Sequence, residues 1–286
     1  MGKTGLIVEG GGMKCAYSAG ILDRFLDDKI TFDYCIGVSA GAANTLSYLA
    51  GQRGRNLRFY TVHLDDPRYL SVRSLLRTGN LFGLEYIYGT LTNSDGADPI
   101  DYDAIMKNPA EFYMPATDAL TGKAAYFSKF DIVRDDYRTI MATCALPAFC
   151  RPVNVNGHFY YDGGVADSIP IIRSLKTGHR KNVIILTRNF GYRKKEGTRG
   201  WELYVAAFRK YPNLVRALVN RAKHYNQVLE CIEKWEEEGS VFVIRPEIPA
   251  VSRLEKDEEK LREFYQHGYD QMKANFEALQ EFLKEE

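Results

Sequence analysis

The sequence predicts an α/β fold, a mostly parallel sheet covered by helices on both faces. Three observations lead there. Short apolar runs of strand character, at residues 4–9, 32–36, 182–186 and 240–244, alternate with stretches whose apolar residues recur at helical spacing. Glycine-bearing turns, Gly10-Gly11-Gly12 and Gly37-Val38-Ser39-Ala40-Gly41, join the first two strands to helices. A chain of 286 residues, 45% hydrophobic and 26% charged, is long enough to bury a full core and ordinary for a globular protein. No internal repeat or low-complexity linker divides it. Residues 1–286 are therefore expected to form one domain, with the motifs in about 4–186 and helices in about 200–286.

Residues 4–9 read as a buried strand, and an amphipathic helix follows the glycine triplet from 16 to about 28. Strand 32–36 leads through the second glycine turn into helix 42–50. The region 51–109 is less regular. Residues 56–64 fit no single period, Asp65-Asp66-Pro67 is a turn, and 69–91 is aromatic-rich with Gly79, Gly83 and Gly89 as punctuation. Core helices around an inserted lobe and a substrate-covering surface both suit it. A helix starts at Asp98-Pro99 and runs through Met106, stopped by Asn108-Pro109. Residues 111–118 and 124–128 read as paired strands and 135–143 as a helix. Asn156-Gly157, between 152–155 and 158–161, is a two-residue hairpin signal whose second arm runs into Asp162-Gly163-Gly164. A short helix begins at Ile169-Pro170 and stops near Gly178. Residues 201–235 are helical in one or two segments, with Pro212 at a break. From about 255 onward, apolar residues from Leu261 to Leu283 keep helical spacing.

Between a strand and a helix, Gly37-Val38-Ser39-Ala40-Gly41 has the Gly-x-Ser-x-Gly context of a nucleophile elbow. A serine turned sharply out of a strand presents its hydroxyl above the sheet, and flanking glycines permit a tight bend. The N-terminus of the next helix favours negative charge nearby. A plain Gly/Ser/Ala turn is the alternative. The glycine triplet also has two readings. A dinucleotide site would want a third glycine where Cys15 stands, and an acid where the second strand ends in Gly37-Val38-Ser39. Side-chain-free residues at a helix start suit an oxyanion hole better, because their amides point into open space. A serine nucleophile needs a base. His63, His158, His179, His224 and His267 all read as surface or structural residues, and Ser39 comes early for the Ser–acid–His order of an α/β-hydrolase. Asp162, at a strand end and released by two glycines, can approach another strand end closely. It reads equally as an Asp-Gly turn residue.

Taken together, Gly10-Gly11-Gly12-Met13-Lys14, Gly37-Val38-Ser39-Ala40-Gly41 and Asp162-Gly163-Gly164 resemble the patatin-like phospholipase family. Ala142-Thr143-Cys144-Ala145-Leu146-Pro147-Ala148-Phe149 and Asp167-Ser168-Ile169-Pro170 fit the same likeness, which spans residues 4 to about 186. The resemblance implies a three-layer α/β/α sandwich and a Ser–Asp dyad without a catalytic histidine. On it Ser39 is the nucleophile and Asp162 the general base. The amides of Gly11 and Gly12 form the oxyanion hole, and Lys14 adds positive charge. The reaction would be hydrolysis of a lipid acyl ester through an acyl-serine, with no metal or organic cofactor. Cys15 replaces the glycine usual at the end of the first motif. Lys14 stands where many relatives have arginine, keeping the charge without the planar fork.

Net charge is +1, which predicts no affinity for nucleic acid. Its distribution is uneven. Basic residues dominate from Arg173 to Lys223, including Arg188, Arg193, Lys194, Lys195, Arg199, Arg209, Lys210 and Arg221, while Glu236-Glu237-Glu238 and Asp257-Glu258-Glu259 mark an acidic tail. The basic stretch, with Trp201, Tyr204, Phe208 and Tyr211, could seat peripherally on an anionic membrane, or neutralise the tail within the fold. Five scattered cysteines without a Cys-x-x-Cys pair suit a reducing compartment. No leader precedes the first strand and no apolar run approaches the roughly 18 residues of a membrane span. A cytoplasmic lipid acyl hydrolase is the leading expectation. A carboxylesterase or thioesterase on small acyl substrates, or a non-catalytic membrane- or protein-binding relative, are the alternatives.

Overall fold

The computed structural model describes residues 4–196 and 201–284; Arg199 and the Trp201 side chain lie outside that description. The strands are Thr4–Val8 (β1), Tyr34–Gly37 (β2), Glu111–Asp118 (β3), Ala124–Ser128 (β4), Val153–Val155 (β5), His158–Asp162 (β6), Lys181–Ile185 (β7) and Val241–Ile244 (β8). The helices are Ala16–Asp27 (α1), Ala40–Leu49 (α2), Arg55–Tyr60 (α3), Val72–Thr78 (α4), Tyr102–Lys107 (α5), Arg138–Cys144 (α6), Ile171–Lys176 (α7), Trp201–Ala207 (α8), Pro212–Glu237 (α9), Glu258–Ala274 (α10) and Phe276–Lys284 (α11).

All the strands join one sheet in the order β5-β6-β3-β2-β1-β7-β8, with β4 paired to β3. β3, β2, β1, β7 and β8 run parallel; β4 and β6 pair antiparallel with β3, and β5 antiparallel with β6. Alternation along each strand divides the core between the two faces. Leu6, Val8, Cys35, Val183 and Ile185 pack with residues of α1, α2, α5, α10 and α11, among them Phe25, Leu46, Ile105, Phe264 and Leu279. Ile7, Ile36 and Ile184 face the other way, onto Ile171 of α7 and Tyr225, Leu229 and Ile232 of α9. The result is a three-layer α/β/α sandwich.

Several elements depart from the sequence reading, each for a local reason. The second helix begins at Ala40, directly after Ser39. Asp98 does not start a helix. Its carboxylate is taken by Arg58 and His63, and Asp101 caps α5 instead by accepting from the Ala104 amide. The helix expected at 135–143 starts only at Arg138, because Asp135 sits at φ 60, outside helical space. Pro212 separates α8 from α9 at the latter's first position, and Asn275 separates α10 from α11. Asn156 (φ 52) and Gly157 (φ 86) make the expected left-handed hairpin turn.

The unassigned region resolves into α3, α4, a 3-10 turn at Val62–Asp65 and a π-helical stretch at Glu85–Leu91. Phe59, Tyr60, Tyr69, Ile87 and Leu91 from it pack on Met13, Ala16 and Ala19. The C-terminal helices are just as tightly joined to the rest. A Cβ on Gly20 would lie 2.0 Å from the Tyr265 carbonyl oxygen, and one on Gly268 would lie 2.2 Å from that of Tyr17, so α1 and α10 touch backbone to backbone. Tyr265 and Tyr269 donate to Asp23 and Asp27 of α1 at 2.6 and 2.7 Å.

Candidate active site

Two turns leave adjacent parallel strands at the carboxyl edge of the sheet, where open α/β sheets bind ligands. At the end of β2 the chain turns at Ser39, whose φ of 55 and ψ of −132 are strained for a residue with a side chain. A chain of hydrogen bonds holds it there. The Ser39 amide donates to Thr143 Oγ1 at 3.1 Å, and that hydroxyl donates to the Pro115 carbonyl at 2.6 Å. The glycines around Ser39 are needed for room, since Gly10, Gly37 and Gly41 all lie outside the left-handed region. A Cβ on Gly37 would sit 2.6 Å from Ala42 Cα, and one on Gly41 2.6 Å from the Glu9 carbonyl oxygen. On Gly10 it would lie 2.9 Å from Ser39 Cβ, so the two turns touch.

The triplet after β1 adopts a conformation only partly open to other residues. Gly12 has φ 60, and a Cβ there would lie 2.8 Å from the Arg253 carbonyl oxygen. That same carbonyl accepts from the Met13 amide at 3.2 Å. Among the described residues the amides of Gly11 and Gly12 have no protein acceptor, and neither has that of Ala40, the first residue of α2. The sequence reading missed Ala40, although its position directly after the elbow serine was the available signal. Lys14 is 3% exposed. Burial, then the charges of Arg188 and Arg253, lower its pKa to about 8.

Strand register brings Asp162 to the same level. Ile36 pairs with Tyr113 and Ala116 with Asp162, so Ser39 lies as far past Ile36 as Asp162's partner lies past Tyr113. Asp162 is 4% exposed. Its amide donates to the Ala145 carbonyl at 2.8 Å, its carbonyl accepts from Thr117 Oγ1 at 2.8 Å, and its Oδ1 accepts from the Gly164 amide at 2.7 Å. Gly163 has no space for a side chain, since a Cβ would lie 2.0 Å from the Pro115 carbonyl oxygen. A Cβ on Gly164 would be 3.0 Å from Asp162 Oδ1, 3.3 Å from Arg221 Nη2 and 3.6 Å from Val38 Cγ1. The aspartate turn thus packs against the residue preceding Ser39.

Ser39, Asp162, the glycine triplet and Lys14 all line one cavity. Phe59, Tyr69, Phe82, Leu84, Ile87 and Tyr88 give it an apolar wall, so the irregular region both packs on the core and lines the cavity. Among the described residues no histidine lines it. His63 is bonded to Asp98, His179 stacks on Tyr34, and His267 accepts from the Glu247 amide. No group of three or more His, Cys, Asp or Glu among those residues could hold a metal ion.

The basic segment divides between internal pairing and the cavity. Arg193 pairs with Glu233 of α9, while Arg188, Lys194 and Arg221 turn inward to the cavity, as does Arg253 from the far end of the chain. The expected membrane-facing aromatics divide. Phe208, just after α8, is buried against Tyr161, whereas Tyr204 within α8 is exposed, as are its neighbours Leu203 and Val205. No helix among the described residues is long and apolar enough to cross a membrane.

Comparison with known proteins finds relatives of both parts of the chain. The model of the patatin-like phospholipases matches residues 6–173, and a model described only as a domain of unknown function, DUF6363, matches 211–284. The uncharacterized protein YjjU of Escherichia coli (strain K12) is 26% identical over 279 residues, covering 93% of this chain and 75% of that protein. The crystal structure of VipD from Legionella pneumophila covers 97% of this chain and 67% of its own, at 14% identity and a TM-score of 0.49.

Proposed function

The chain belongs to the patatin-like phospholipase family, and we propose that it hydrolyses lipid acyl esters with Ser39 as nucleophile and Asp162 as general base. Ser39 Oγ attacks the acyl carbon while the Asp162 carboxylate takes its proton. The amides of Gly11, Gly12 and Ala40 receive the oxyanion. Collapse of the tetrahedral intermediate expels the alcohol, which takes the proton from Asp162, and leaves an acyl-serine. Water then attacks that ester as Asp162 accepts its proton, and collapse of the second tetrahedral intermediate releases the fatty acid while Asp162 returns that proton to Ser39 Oγ. The observation carrying this reading is the shared level of Ser39 and Asp162 in one cavity, reached through two strand registers with β3.

The apolar wall suits the acyl chain of a lipid better than a small acyl group. Residues 1–286 act as one catalytic unit in this reading. Peripheral contact with a lipid surface would use α8, where exposed Leu203 and Val205 neighbour Arg209 and Lys210. A fluorophosphonate probe tests the nucleophile: wild type should be labelled at Ser39 and Ser39→Ala should not. Equal labelling of the alanine protein would overturn the assignment.

A further inference from the structure

The cavity holds more positive charge than the proposed chemistry uses. Lys14, Arg188, Lys194, Arg221 and Arg253 all line it, against the carboxylates of Glu9 and Asp162. Among the described residues none of these five cations forms an ion pair. The carboxylates are already served by other donors. Glu9 accepts from the Tyr225 hydroxyl at 2.8 Å and from the amide and hydroxyl of Thr187 at 2.7 and 3.0 Å, and Asp162 accepts from the Gly164 amide.

The cations are held by contacts that leave donors spare. Lys194 Nζ lies 3.4 Å from the centre of the Tyr225 ring and 3.4 Å from Ser168 Oγ. Arg188 stacks on Tyr192 at 4.3 Å, and Arg221 Nε donates to the Gly164 carbonyl. Lys14 is 3% exposed and lines the cavity. Burial lowers the pKa of Lys194, and the charge of Arg221 lowers it further. Five cations gathered against their own repulsion beside two carboxylates, and in no ion pair with either, leave room for an anionic ligand.

Their position specifies which part of a substrate that is. Arg221 abuts the Asp162 turn and Arg253 closes over the Gly12 turn, so the cluster borders both loops that would carry the reaction. The apolar wall comes from other elements, α3 and residues 69–88. An ester bound across Ser39 would thus have its chain on aromatic side chains and its alcohol portion among cations. Four of the five cations lie beyond residue 173, where the patatin-like match ends, and Arg221 and Arg253 fall in the stretch matched only as a domain of unknown function.

Building on the hydrolase reading, we propose that Lys14, Arg188, Lys194, Arg221 and Arg253 form a subsite for a phosphate-bearing head group of net negative charge, and that the C-terminal third of the chain supplies this preference. Zwitterionic choline lipids are disfavoured there, because their ammonium enters a field already positive. Neutral glycerides leave the cations unpaired.

Binding to Ser39→Ala protein tests this without turnover. The probes are lauroyl lysophosphatidate, lauroyl lysophosphatidylcholine and lauroylglycerol, with chainless glycerol 3-phosphate as a fourth. Lysophosphatidate should bind about tenfold or more tightly than the other two lipids, as paired charged hydrogen bonds require. Adding Arg188→Gln and Arg253→Gln should remove most of that preference, and Lys194→Gln separately should weaken lysophosphatidate more than lauroylglycerol. Equal affinity for the three lipids, or a preference that survives both sets of changes, overturns the proposal. Glycerol 3-phosphate binding as tightly as lysophosphatidate would overturn the head-group assignment in favour of a free phosphate ligand. A wild-type protein that binds lysophosphatidate selectively yet cleaves no lipid would instead sink the hydrolase reading and leave the subsite standing.

Discussion

Ser39 and Asp162 lie far apart in sequence, and each is held by hydrogen bonds to residues that carry no chemistry, Thr143 and Gly164. Asparagine at 162 can still accept from the Gly164 amide but cannot take a proton. Asp162→Asn should therefore keep its circular dichroism spectrum while ester hydrolysis falls ~10²–10⁴-fold. A histidine-to-Gln variant equally inactive and still folded would replace the dyad by a triad. Lys14 sets a pH limit. Its pKa, lowered by burial to about 8, means that its charge is lost as pH rises through that value. Hydrolysis that uses this charge should decline above about pH 8, and Lys14→Arg should move the decline to higher pH. The stability sign is the reverse. A lysine whose folded pKa is depressed penalises the fold while it is protonated, so Lys14→Met should raise the urea midpoint at pH 7. The motifs made Ser39, Asp162 and the glycines legible. Arg221 and Arg253 were not, since a single arginine in a helix or a loop carries no periodic or spacing signal.

Among the elements, α3 and the turn after it depend on one carboxylate. Asp98 lies 3.4 Å from Arg55, accepts from Arg58 at 2.6 and 2.8 Å, and contacts His63 at 3.0 Å. Burial pushes its carboxyl pKa up, but Arg58, His63 and Arg55 outweigh that and hold it well below the usual range. Its stabilising effect is thus present above the ordinary carboxylate pKa and fades as the medium becomes acid. Asp98→Ala leaves the Arg55 guanidinium, with a side chain only 5% exposed, buried without its counter-ion. We expect a loss of about 3–5 kcal/mol in denaturant unfolding at pH 7. A loss under about 1 kcal/mol would show that Arg55 is served by Thr92 and the Asp98 carbonyl alone. The sequence did not announce these elements. α3 is a short helix at residues 55–60, and side chains of the segment after it pack in one cluster with Met13, Ala16 and Ala19, distant in the sequence. A long amphipathic helix such as α10 declared itself, because it buries a single face, Leu261, Phe264, Tyr265, Gly268 and Met272.

The whole molecule is closed by its C-terminal third. β8 extends the sheet beyond β7, α10 lies backbone to backbone on α1, and α9 covers the face opposite α1. A chain ending at residue 196 would expose Ile7, Ile36 and Ile184 on one face and Tyr17, Ile21 and Phe25 on the other. Such a truncation should be insoluble or bind a hydrophobic dye strongly; a soluble, cooperatively folding product would show that the first part is independent. The sequence by itself determined the alternation of strands and helices, the hairpin at Asn156-Gly157 and the identities of Ser39, Asp162 and the glycine triplet. Those follow from local rules: side-chain period, turn conformation, and the small size that tight turns demand. Only the tertiary structure decided that β6 enters the sheet beside the far end of β3, which brings Asp162 level with Ser39. It also decided that Arg188, Lys194 and Arg221 of the basic segment turn inward, into the cavity that Glu9, Ser39 and Asp162 line. Register and charge burial depend on contacts between residues distant in the chain, and no local pattern encodes them.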